Sequence, residues 1–196
     1  MPCKLDRAVL PLALVASLSA ALAACSGTEG QARAAAAPAS NTAMNPQLIE
    51  EGKQIFRFDT FGDERFWTDE LRMHEVVQTV TPETALSVGL KVDSDAVPPD
   101  VLASADLKSA ATTVALLKLN AVVGLKAEVD AQDRITRLGV TCALCHSTVN
   151  DSVAPGIGKR LDGWPNRQLN PGAIIALSPA VPLDKKEVYN IWGAGK

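Results

Sequence analysis

Hydrophobic and polar positions divide the chain into an uncharged opening run, a bland stretch and a long patterned remainder. Residues 8–24, AVLPLALVASLSAALAA, carry no charge and follow Lys4 and Arg7. Residues 26–45, SGTEGQARAAAAPASNTAMN, are poor in large apolar side chains. Pattern begins at residue 46. PQLIEEGKQIFRF sets Leu48, Ile49, Gly52, Ile55 and Phe56 on one stripe, which predicts a helix over 46–58. DERFWTDELRMHEVVQTV predicts a second helix over 64–79, capped by Asp63, with Trp67, Leu71, His74 and Gln78 stacked on its inward face. Met73 lies about 100° round that helix, beside Phe66, Val77 and Val80, and reads as core. Further helices are predicted over 83–89, over 100–107 after Pro98-Pro99, and over 109–124; the last is apolar nearly all round and therefore buried. These elements add up to a mainly α fold.

The opening run has the build of a secretory signal peptide, with a short positive region and an apolar centre. A membrane span needs about 20 apolar residues, and this run is shorter and interrupted by Pro11. It ends in Leu22-Ala23-Ala24-Cys25, which resembles the lipobox of bacterial lipoproteins. The resemblance implies cleavage before Cys25, lipidation of its thiol and, with Ser26 next, no signal for retention in the inner membrane. The chain therefore divides into a signal peptide at 1–24, a lipidated flexible tether at 25–45 and a domain at 46–196. A flexible tether of that length reaches roughly 25 Å. The expected location is the periplasmic side of a bacterial membrane, lipid-anchored, at the outer membrane.

Composition narrows the domain's role. The 196 residues carry 19 basic and 22 acidic side chains, a formal net charge of −3. That balance lacks the basic excess of a nucleic-acid binder, so no nucleic-acid partner is expected. Aromatic residues make up only 4%, so a large non-protein group would help fill the core.

With Cys3 in the signal and Cys25 in the lipobox, the domain keeps two cysteines, and they stand in Cys142-Ala143-Leu144-Cys145-His146. This is the attachment signature for one covalent haem c. One helical turn sets both thiols against the porphyrin's two vinyl groups, and His146 supplies the proximal iron ligand. Structural zinc would need about four Cys or His ligands. A thioredoxin-like dithiol would need a βαβ context, and a disulfide would leave His146 without a role. Downstream, Pro155 is a candidate acceptor for the proximal imidazole N–H. Arg160, Arg167, Lys159 and Trp164 are candidate partners for the haem propionates, with Arg160 and Trp164 foremost. No methionine or histidine follows His146. The candidates for the sixth ligand are therefore His74, Met73 and Met44, and His74, the only other histidine, is preferred.

Gly52-x-x-x-Phe56 resembles the first helix of class I cytochromes, which implies a close crossing with a last helix carrying Tyr189 and Trp192. Two blocks, GKQIFRFDTFGDERFWTDELRMHEVV and VTCALCHSTVNDSVAPGIGKRLDGWPNRQLNPGAIIAL, resemble exported bacterial c-type cytochromes. That resemblance implies a cytochrome c-like helical domain wrapped round one haem, with extra helices inserted before the attachment motif. It also implies a protein that continues past Trp192 to a greater length than this chain. The expected function is electron transfer between redox partner proteins, with the membrane reached through the lipid anchor. The alternative is a haem enzyme of peroxidase type, or a ligand sensor, with an open distal iron; a third reading is a haem-bearing subunit of a larger redox complex.

Overall fold

A computed structural model describes residues 45–195. The expected signal peptide, Cys25, the tether and Met44 lie outside the described residues.

Helix α1 spans Pro46–Phe58. The Asn45 side chain caps it by accepting from the Gln47 N–H, and Pro46 fills the first turn, where a missing N–H costs nothing. The expected helix over 64–79 is broken. A π-helical turn, Phe66–Glu70, comes first. Arg72 then takes a left-handed conformation at φ 53°, and a short α2, Met73–Val77, follows. The break exchanges the inward set. Thr68 and Met73 are buried, the latter as expected, while Trp67 and His74 are only half-buried. The Asp63 carboxylate makes no capping bond to a helix N–H; it accepts from Trp67 Nε1 at 2.7 Å and from the Val140 N–H at 3.2 Å.

Helices α3, Pro82–Ser87, α4, Pro99–Ser104, and α5, Ala110–Lys118, stand near their expected places. Helix α5 buries Thr113, Val114, Leu116 and Leu117, and the last three form the main core with Val92, Val97, Val122, Ile135 and Ile157. Each such side chain is worth about 1.5–3 kcal/mol of burial. The helix stops well short of 124 because Asn120 turns left-handed at φ 53°.

The mainly α expectation is overturned here, and with it the cytochrome c-like helical fold. The described residues form a mixed α/β fold with three small two-stranded sheets. Strands β2, Leu125–Val129, and β3, Ile135–Val140, form an antiparallel hairpin. Its turn is held by Asp130, whose side chain accepts from the N–H groups of Gln132 and Arg134. β1, Val92–Asp93, pairs in parallel with β5, Ile157–Gly158. β4, Ser147–Val149, pairs antiparallel with β6, Arg160–Asp162. The physical reason is local: LKAEV and ITRLGV are each too short for a helical stripe, ITRLGV carries the β-branched Ile135, Thr136 and Val140, and a tight polar turn separates the two segments.

The short helix α6, Ala143–His146, joins β3 to β4. Helices α7, Pro171–Ala176, and α8, Leu183–Asn190, close the described chain. The expected crossing of α1 with the last helix is also overturned. Nothing lies within 4 Å of where a Gly52 Cβ would stand, whereas a Cβ on Gly172 of α7 would collide with the Tyr189 carbonyl of α8. Gly172 is the close-approach glycine.

Candidate haem-attachment site

Strand β3 ends at Val140, Thr141 follows it, and the chain then makes a single helical turn carrying the motif. His146 N–H donates to the Cys142 carbonyl at 3.1 Å, and Leu144 N–H to the Thr141 carbonyl at 3.1 Å. Two residues seat this turn. Buried Thr141 donates its hydroxyl to the Arg57 carbonyl of α1 at 3.2 Å. Gly124, at φ 81°, lies so close that a Cβ there would strike the Leu144 backbone.

One turn cannot hide five side chains. Ala143 is fully buried against Val123 and Val149, with Phe56 of α1 packed on the same cluster. Leu144 points into a small apolar cavity lined also by Trp67, Met73, Val77 and Ile174. That leaves Cys142 half-buried and Cys145 and His146 exposed on the outer face. Both cysteines are free thiols. Partial burial pushes the Cys145 thiol above its ordinary value. A raised thiol is the opposite of the activated thiolate a redox dithiol requires. Among the described residues no group of three or more His, Cys, Asp or Glu is placed to hold a metal ion by itself.

The carbonyls behind the motif are taken up by one turn. Asn166 N–H donates to Cys145 at 2.9 Å and Gly163 N–H to His146 at 2.8 Å. Trp164 stands in that turn, 64% exposed, and lines a surface cleft with Thr148 and Arg167.

The β4–β6 pair meets α1 in a charge cluster. The Arg57 guanidinium meets Asp162 through Nε at 2.6 Å and Nη2 at 2.5 Å. Arg160 Nε donates to the same carboxylate at 2.8 Å, and fully buried Ser147 adds its hydroxyl at 2.7 Å. The Arg160 side chain is only 3% exposed, and its Nη2 has no hydrogen-bond partner. Burial lowers the Arg160 pKa, opposed by the charge of Asp162. Burial alone would raise the Asp162 carboxyl, but the Ser147 hydroxyl and the two guanidinium groups hold it below the ordinary carboxylate value.

The structure brings together only part of the expected set. Cys142, Cys145 and His146 share one helical turn, and Arg160 stands on the strand paired with the one that follows them. Pro155 is exposed in the turn closing the hairpin, beyond the last β4–β6 pair, whereas His146 stands at its base. The whole β4–β6 ladder, Ser147–Val149 against Arg160–Asp162, lies between the two. His74 is not brought to the motif's outer face either. Its neighbours Met73 and Val77 line the inner cavity with Leu144, and its own Nδ1 is buried without a partner. Arg57, Asp162, Ser147 and Gly124 went unnoticed in the sequence; only Gly124, punctuating an apolar run, carried any local signal there.

The residues fit a covalent haem in three respects: a thiol pair and an imidazole on one exposed turn, an orphaned buried guanidinium nitrogen nearby, and an uncovered apolar helix face beside them. That face is α1, of which no residue is buried; Leu48, Ile49 and Ile55 are exposed, on the stripe that ends in Phe56 against Ala143. No protein-family model matches the chain, and neither does any curated protein or solved structure. No helix among the described residues is long and apolar enough to cross a membrane.

Proposed function

We propose that this chain is an exported, lipid-anchored c-type cytochrome that carries one covalent haem for electron transfer. The observation that carries the reading is the spacing of Cys142, Cys145 and His146 on a single helical turn, with Cys145 and His146 exposed and Cys142 half-buried. Bound there, the haem supplies one-electron exchange between ferrous and ferric iron. The chain's own residues would do the rest. Cys142 and Cys145 hold the cofactor through thioether bonds, and His146 gives the proximal nitrogen. Leu48, Ile49 and Ile55 exclude water from an apolar cofactor face. Arg57 and Arg160, two cations on one carboxylate, have donor capacity left for a propionate, and exposed Trp164 is a further donor. Redox partner proteins and an outer-membrane location follow from the same reading and from the lipobox.

A ligand-binding haem is the second reading, favoured by the placement of His74 away from the motif's outer face. One experiment tests both. The full chain, produced with a c-type maturation system, is run on a denaturing gel with haem staining and its spectra are recorded with and without carbon monoxide. Haem that survives denaturation and is lost in Cys142→Ala/Cys145→Ala is expected. Indifference to carbon monoxide supports electron transfer, a rapid spectral shift supports the ligand-binding haem, and absence of covalent haem overturns both.

A further inference from the structure

A second cleft, of about 550 Å³, lies apart from the cysteine pair and His146. Its lining includes Lys91 and, from the segment 166–168, Arg167 and Gln168. Lys91 is 3% exposed, and its carbonyl is held by the Val123 N–H at 2.9 Å. Its ammonium donates to the Gln168 side-chain carbonyl. Among the described residues it makes no ion pair. A buried ammonium facing only a neutral amide is an uncompensated charge, and such charges are normally met by an opposite one.

The chain invests in holding this arrangement. Gly89 sits at φ 89°, and a Cβ there would collide with the Gln168 carbonyl, so only glycine lets segment 166–168 lie over Lys91. Asn166 Nδ2 fastens that segment by donating to the Gly89 carbonyl at 2.9 Å. Arg167 lines the same cleft and makes no ion pair among the described residues, while Glu83 and Asp151 stand at its edge. The Asp151 carboxylate is engaged by the Gly156 N–H at 2.8 Å. The two carboxylates leave the lining neutral overall, so a dianion would be repelled; neither of them is ion-paired with Lys91 or Arg167 among the described residues, and both cations keep donors for a single carboxylate.

We infer that this cleft binds a small carboxylate, whose oxygens take the free donors of Lys91 and Arg167. The inference does not rest on the haem reading. The test follows thermal unfolding of the full chain in sodium acetate against sodium chloride at matched ionic strength. Acetate at about ten times its Kd should raise Tm by roughly 3–6 °C. Lys91→Met, which replaces a buried ammonium by an apolar chain of similar shape, should abolish the rise. Gln168→Glu should raise Tm in chloride, because it supplies a built-in carboxylate, and should no longer respond to acetate. The Cys142→Ser/Cys145→Ser chain, free of haem, should respond as wild type does; a response confined to it would place the same carboxylate on the cofactor's own propionate. No acetate response in either chain, or an undiminished response in both Lys91→Met and Gln168→Glu, overturns the proposal.

Discussion

At the scale of single residues, two positions hold the motif in place through different physics. Gly124 combines a positive φ with a backbone approach to Leu144 that no side chain can share. Gly124→Ala should therefore cost roughly 3 kcal/mol or more, because strain and collision add. Urea unfolding of the haem-free chain measures this directly, and a loss below 1 kcal/mol would mean that α6 simply shifts away. Asp162 acts through charge. Removing its carboxylate leaves Arg57 and buried Arg160 facing each other, so Asp162→Asn should cost roughly 2–3 kcal/mol at neutral pH. The Asp162 pKa is lowered in the native state. The stability it contributes is thus complete above its unfolded value of 3.8 and is lost as pH falls through the lower native value. Unfolding followed from pH 7 down to pH 3 should show wild type losing this margin at the acid end. Asp162→Asn should lack that part of the decline, and parallel profiles would count against the cluster.

At the scale of elements, α1 is the clearest case of a helix with a purpose its own packing does not exhaust. Its capping is local and complete, yet Leu48, Ile49 and Ile55 remain exposed. The double substitution Leu48→Asp/Ile55→Asp should change the stability of the haem-free chain by no more than about 0.5 kcal/mol, since exposed positions tolerate polar groups. In the haem-loaded chain the same pair should lower Tm measurably. Equal effects in both forms would mean that the stripe serves something other than the cofactor. The α1 stripe was legible because helical spacing is a property of neighbours three and four apart. The 64–79 segment shows the opposite case: its periodicity is sound, but the hydrogen bonds joining Thr68 to Leu138 bind its first turn to β3, and the chain must break at Arg72 to bury Met73. That competition is set by a strand 70 residues away. The β2–β3 hairpin could have been read from its alternation and its Asp130 turn.

At the scale of the whole molecule, the disposition of the two histidines would decide what the iron of the proposed haem could bind. His146 lies on the outer face of α6, while α2 places Met73 and Val77, not His74, beside Leu144 on the inner side. His74→Ala should therefore leave the haem spectrum and its carbon monoxide response unchanged; conversion of a low-spin haem to a carbon monoxide-binding one would restore His74 as ligand. The amino-acid sequence alone determined the five contiguous residues of the motif and the α1 stripe, because each depends on covalent order or on one turn of backbone. Tertiary structure decided the rest. It drew Arg57 to Asp162 across 105 positions, moved Pro155 to the far end of a hairpin, buried Arg160 and Lys91 without full partners, and made a mixed fold of an apparently helical chain. Long-range contacts form wherever burying apolar surface outweighs the entropy of closing the loop between them, and local spacing carries no record of that balance.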